Sequence, residues 1–202
     1  MIVKICGITN LDDALAAAEA GVSALGFNFY PRSPRYIAPQ AAQRILECLP
    51  AGIWRVGVFV NERAESVVET ARQIGLDVVQ LHGDEPPEAL PTGLRVWKAF
   101  RVGPAFDTSQ LGRYAVEACL LDAAGAGDFG GSGRTFDWTI LPPVSQRIIL
   151  AGGLDAANVA AAIRVARPWG VDACSRLESA PGRKDHRKIV EFVRAAREAQ
   201  QP

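Results

Sequence analysis

Charge of one sign is missing from this chain. Its 202 residues carry 22 Lys plus Arg against 22 Asp plus Glu, a formal net charge of zero. A protein that grips a nucleic-acid backbone or an anionic membrane surface needs a basic excess to do so, so neither partner is expected. A long apolar run is also missing: no stretch approaches the ~18 residues of a bilayer span. No basic segment precedes an apolar one at the N-terminus, as a secretory leader would require. Cysteine is sparse. Cys6, Cys48, Cys119 and Cys174 lie far apart without a C-x-x-C pair, which argues against a zinc site. A reduced cytoplasmic protein is the simplest expectation. Cys48, read as helical, and Cys119, inside an apolar run, are expected to fill the core.

What is present is an alternation. β-rich runs occur at Ile2–Cys6, Ala24–Phe29, Trp54–Val60, Val78–Leu81, Val96–Phe100, Ala118–Asp122, Ile148–Ala151 and Val171–Cys174. Most are continuously apolar, as parallel strands buried on both faces are. Helical patterns lie between them at Leu11–Ala20, Ala41–Leu49, Ala64–Ile74, Ala156–Val165 and Asp185–Glu198, with shorter ones near Pro87–Leu90 and Phe106–Leu111. Asn10 suits an N-cap with Asp13 three residues on, and Gly21 suits the stop. Eight such units in 202 residues predict a single-domain α/β fold over 1–202, a (β/α)₈ TIM barrel near its lower size limit. A doubly wound open sheet is the rival. It would usually carry G-x-G-x-x-G after its first strand, where this chain has only Gly7.

In a barrel the chemistry stands at the C-terminal ends of the strands. Those ends bring Cys6, the Arg-rich loop holding Arg32 and Arg35, His82, Asp122, the Gly130–Gly133 loop, Gly152, Gly153, Cys174 and Ser175. A thiol and a carboxyl on one face are a candidate base and acid, and late glycines with a serine suit a phosphate.

Taken together, these stretches resemble the phosphoribosylanthranilate isomerase family across the whole chain. The resemblance is carried by KICGIT at 4–9, GFNFYP at 26–31, SPRYI at 33–37, VGVFVN at 56–61, QLHG at 80–83 and LLD at 120–122. It continues through GGSG at 130–133, FDW at 136–138, GGL at 152–154 and PGRKD at 181–185. Each is weak alone; their order is specific. The resemblance implies an Amadori rearrangement of a small phosphosugar in tryptophan biosynthesis, without metal or organic cofactor. It implies Cys6 as general base, Asp122 as general acid and Arg35 as the contact to the anthranilate carboxylate. Asp172 belongs near the sugar hydroxyls, with Gly152, Gly153 and Ser175 at the phosphate. Gly130, Gly131, Ser132 and Gly133 would form a lid.

A free thiol titrates near ~8.5 and an Asp near ~3.9, the wrong way round for these roles. The site must therefore lower the first and raise the second, and a cation beside Cys6 would do the former. His82 reads as a polar contact that orients substrate or Asp122. His186 is expected to be exposed, Asp137 to cap a helix, and Trp54, Trp97, Trp138 and Trp169 to pack.

One segment departs from the family. Strand 8 runs DACSRLE at 172–178, where the family usually has Asp-Val-Ser-Ser-Gly-Val-Glu. Arg176 replaces a glycine and lacks its freedom at positive φ, so a strained loop is expected. Arg176 either points at the phosphate or turns outward. Cys174 replaces a serine and ends the strand beside that of Cys6, so the two thiols are expected to be oxidation-sensitive together. Other readings stay open: another phosphate-binding sugar isomerase or synthase barrel, or a barrel that only binds a phosphorylated ligand. A monomer is expected, with a homodimer the alternative.

Overall fold

In the computed structural model, which describes residues 1–124, 135–140 and 145–200, eight parallel strands close into a barrel in chain order. They are β1 (Ile2–Cys6), β2 (Ala24–Asn28), β3 (Trp54–Phe59), β4 (Val78–Leu81), β5 (Val96–Val102), β6 (Ala118–Ala123), β7 (Ile148–Leu150) and β8 (Gly170–Ala173). β8 pairs back onto β1 with Lys4 opposite Asp172 and Ile5 opposite Ala173.

The expected alternation holds with two corrections. Helices α1 (Leu11–Ala20), α2 (Pro39–Leu46), α3 (Ala64–Ile74), α4 (Val159–Ala166) and α5 (His186–Glu198) cover part of the barrel. After β4 and β5 there are only 3₁₀ turns, Pro87–Ala89 and Thr108–Arg113. After β4, Pro91 pushes the preceding Leu90 into an extended conformation and so ends the turn at Ala89. Cys48 is the second correction. It lies past the end of α2 and is exposed, because the helix closes before it.

Capping follows local chemistry. The Asn10 side chain accepts from the Asp13 N–H and donates to the Asp13 carboxylate at 2.7 Å, and Gly21 ends α1 in the left-handed region at φ 87°. Buried Asp13 also accepts from the Lys184 N–H and lies 2.8 Å from His186 Nε2. The first helix is thereby tied to a short hairpin, β9 (Glu178–Ala180) and β10 (Arg183–Lys184). His186 is half exposed. The Asp137 side chain accepts from the Thr139 N–H, as a cap does.

The barrel interior is layered. Ala24, Val56, Val78, Trp97, Ala99, Ala118, Leu120 and Ile149 form its apolar part. Trp54, Trp97 and Trp169 close the floor with ring centroids 6.0 and 6.1 Å apart. Trp97 has no exposed surface, and truncating such a side chain costs about 3–5 kcal/mol. Strand side chains alternate with period two, so each inward row can be followed upward. Ile2 leads to Lys4 and Cys6, Val78 to Gln80 and His82, Leu120 to Asp122, and Gly170 to Asp172 and Cys174. Each row starts apolar and ends polar, which puts every ionisable group at one mouth.

Candidate active site

Cys6 is buried at the end of β1, where Gly26 makes room for it and Gly7 makes room for Cys174 and Arg35. A Cβ on Gly26 would come within 2.7 Å of the Cys6 sulfur. A Cβ on Gly7, at φ +74°, would come within 3.0 Å of the Cys174 sulfur and 2.7 Å of Arg35 Cδ. Cys174 lies one residue past β8, beside Cys6, and the two side chains are hydrogen-bonded. That bond pulls the Cys6 thiol well below its ordinary range; burial opposes it, and Lys4 and Lys184 add to it. The same bond and burial push Cys174 well above its own. The two shifts are opposite in sense and draw negative charge towards Cys6. The cations expected beside Cys6 are these two lysines.

Lys4 is fully buried, with Nζ 2.9 Å from Asp172 Oδ1. Burial pushes the Asp172 carboxyl up to about 7 against the pull of Lys4. Asp172 thus lies inside the barrel in an ion pair. A buried pair of this kind is a specificity device more than a source of stability.

Asp122 is buried at the end of β6, with Oδ2 3.4 Å from His82 Nε2. Gln80 Nε2 lies 2.9 Å from His82 Nδ1. An amide N–H can only donate, so Nδ1 accepts and the ring proton is on Nε2, facing Asp122. Gly152 closes on the same carboxylate: at φ +83°, its Cβ would meet the Ala123 nitrogen at 2.6 Å and Asp122 Oδ1 at 3.0 Å. The corner after His82 is braced from below. Lys98 Nζ donates to the Gly83 carbonyl at 2.8 Å and lies 3.1 Å from Glu85, whose carboxylate accepts from the Gly83 N–H.

Arg35 comes over from the β2–α2 loop and meets Glu178 through two parallel bonds, Nε and Nη2 each at 2.8 Å. The carboxylate it holds here is internal. Glu178 also takes Lys184 Nζ at 3.0 Å. Burial pushes the Glu178 carboxyl up, and Arg35 with Lys184 outweighs it, leaving the group below its usual value.

The late loops are set by short-range chemistry. Gly152 and Gly153 have φ of 83° and 59°, and Asn158 Nδ2 donates to the Gly153 carbonyl at 2.8 Å. Ser175 opens a 3₁₀ turn to Leu177 that includes Arg176. The strain expected at Arg176 is absent. Among the described residues, the non-glycine positions at positive φ are Asn61 and Arg167. The half-exposed Arg176 side chain pairs with Asp155 at 3.3 Å, tying the glycine loop to the Ser175 turn. The Gly130–Gly133 loop lies outside the described residues.

Sequence reasoning gave no role to Lys4, Gln80, Lys98, Glu178 or Lys184. A trace of the first and third was visible: a lysine inside an otherwise apolar strand must find a buried partner. Which partner is a matter of barrel closure.

The family model described as N-(5'phosphoribosyl)anthranilate (PRA) isomerase matches residues 3–195. The chain belongs to the PRA isomerase family. A PRA isomerase of Solibacter usitatus is 56% identical over 199 residues, covering 98% of each chain. The crystal structure of PRA isomerase from Thermotoga maritima superposes with a TM-score of 0.91 at 43% identity, covering 98% of this chain and 100% of that one. A PRA isomerase structure in complex with reduced 1-(o-carboxyphenylamino)-1-deoxyribulose 5-phosphate gives 0.88 at 42% identity, with the same coverage. The chain is accordingly an isomerase of tryptophan biosynthesis, built as a TIM barrel. No helix among the described residues is long and apolar enough to cross a membrane.

Proposed function

We propose that Cys6 and Asp122 carry out an Amadori rearrangement of N-(5'-phosphoribosyl)anthranilate as general base and general acid. Asp122 gives a proton to the furanose ring oxygen while the C1'–O4' bond breaks, leaving an iminium between sugar and anthranilate nitrogen. The Cys6 thiolate then removes the proton from sugar C2'. The resulting enolamine tautomerises to the ketone, 1-(2-carboxyphenylamino)-1-deoxyribulose 5-phosphate. The observation that carries this reading is the placement of Cys6, a buried thiol held below its ordinary range by Cys174, Lys4 and Lys184, at the same barrel mouth as Asp122.

The phosphate belongs with Gly152, Gly153 and Ser175, whose loops Arg176 ties to Asp155. The anthranilate carboxylate belongs with Arg35. Glu178 takes the Nε/Nη2 edge of that guanidinium, so the substrate would meet the Nη1/Nη2 edge, the second bidentate face of the fork. The test is a coupled isomerase assay, backed by complementation of a tryptophan auxotroph lacking this step. Wild type is expected to turn over and to complement, while Cys6→Ala and Asp122→Asn each lose activity. A wild-type chain that binds product analogue without turnover would favour the binding-only reading.

A further inference from the structure

Four side chains make a square inside the barrel. Lys4 and Asp172 face each other across β1 and β8, and two residues further up stand Cys6 and Cys174. Lys4 lies under both acids. Its Nζ is 2.9 Å from Asp172 Oδ1. Its Cε and the Cys6 sulfur also rest on the same bare glycine, 3.1 and 2.7 Å from where a Gly26 Cβ would stand. Cys6 and Asp172 both favour the charged form of Lys4 against its burial. No surface of Lys4 reaches solvent, so its charge must be balanced from within this square.

We propose that Lys4 is a positioning residue for Cys6, one ammonium shared between thiolate and carboxylate, with Asp172 competing against Cys6 for it. The proposal rests on the base role given to Cys6 above. A single buried cation stabilises one negative charge well and a second poorly, because like charges close together in a low-dielectric interior disfavour each other. With Cys6 ionised, the proton goes to Asp172. When Cys6 takes the proton from sugar C2', the iminium above becomes a neutral enolamine and the square gains the one positive charge that the substrate loses, which Lys4 carries against Asp172.

The other charged groups around the square are accounted for. Lys184, from β10, stands 3.7 Å from the Cys174 sulfur but is also bound by Glu178. Arg35 is likewise held by Glu178. Asp122, across the mouth, acts on Asp172 in the same sense as Cys6 does, raising it. Lys4 is the cation that stands by both competing acids, paired with Asp172 at 2.9 Å and packed with Cys6 against Gly26.

The test is alkylation of Cys6 by iodoacetamide across pH, read on the Cys6 peptide by mass spectrometry. Wild type, Lys4→Met and Asp172→Asn are compared, with circular dichroism to confirm folding. Lys4→Met is expected to raise the midpoint by about one pH unit or more, and Asp172→Asn to lower it, since Asn keeps the hydrogen bond and loses the charge. A merely structural Lys4 would predict no upward movement in Lys4→Met. A midpoint unmoved in that variant, or unchanged or raised in Asp172→Asn, overturns the proposal. If Lys4→Met does not fold, Lys4→Gln takes its place. Alkylation needs no substrate, so shifted midpoints in a chain without turnover uphold Lys4 and reject the isomerase reading. An active enzyme with an unmoved midpoint does the reverse.

Discussion

His82 presents its Nε2 to Asp122 Oδ2 at 3.4 Å, with Gln80 on the other ring nitrogen at 2.9 Å. The amide thus selects the tautomer, and the tautomer aims a proton at the acid's outer oxygen. A positioning role of His82 towards Asp122 is testable on this arrangement. His82→Asn is expected to lower kcat roughly tenfold, about 1.4 kcal/mol of transition-state stabilisation, with little change in KM. Steady-state kinetics check this; an unchanged kcat would reject the positioning role.

The base role proposed for Cys6 requires it to be ionised. Its thiol is held below the ordinary thiol range by Cys174 and the two lysines, so activity is expected to climb with pH below that range and level off above. Cys6→Ser is expected to cut kcat by about 10²–10⁴ and to remove the ascending limb from the pH–rate profile. A persisting limb would assign the base elsewhere.

Asp172 makes folding stability depend on pH. Its carboxyl goes from the ordinary 3.8 to about 7 on folding, so the folded chain binds more protons than the unfolded chain between those values. Stability is therefore fully present below pH about 4 and declines as pH rises through about 7. Asp172→Asn is expected to flatten that decline, by on the order of a few kcal/mol at most. Urea unfolding at several pH values measures it, and an unchanged slope would contradict the assignment.

Gly152 has no room for a methyl group. Its Cβ would clash with the Ala123 nitrogen and press on Asp122 at a φ of +83°. Gly152→Ala is expected to lose about 1–3 kcal/mol through the backbone and to lower kcat as well, because the acid is displaced. Tm and kcat falling together are the expected result.

Arg35→Lys separates recognition from folding. Lysine cannot reproduce the planar fork, so KM should rise about tenfold, or ~1.4 kcal/mol, while Lys184 continues to neutralise Glu178. Equal Michaelis constants would remove Arg35 from substrate binding.

Hydroperoxide should act on the two neighbouring thiols together. Cys6 thiolate would take oxygen from the peroxide to give a sulfenic acid and water, and Cys174 would then condense with it, releasing a second water as the disulfide forms. Thiol titration after peroxide is expected to show two fewer thiols, restored by dithiothreitol, and the pairwise loss should vanish in Cys174→Ser. An unchanged titration rules the pair out.

The sequence by itself determined the barrel and which residues stand at its mouth. Hydrophobic periodicity is local: runs such as Val78–Leu81 and Ala118–Asp122 declare buried parallel strands wherever they stand, and a strand's last residues declare the mouth. That suffices to place Cys6, His82, Asp122 and Gly152 there, while Asp172 was named through the family resemblance. Chain-local reasoning was also bound to miss where α2 would close, which leaves Cys48 in solvent. Only the tertiary structure decided the partners. Lys4 with Asp172 and Arg35 with Glu178 lie 168 and 143 residues apart in sequence, and nothing local specifies their pairing. Closing β8 onto β1 sets that register, and with it which cation a buried acid meets. The charged surroundings of Cys6 are thus a property of the closed barrel.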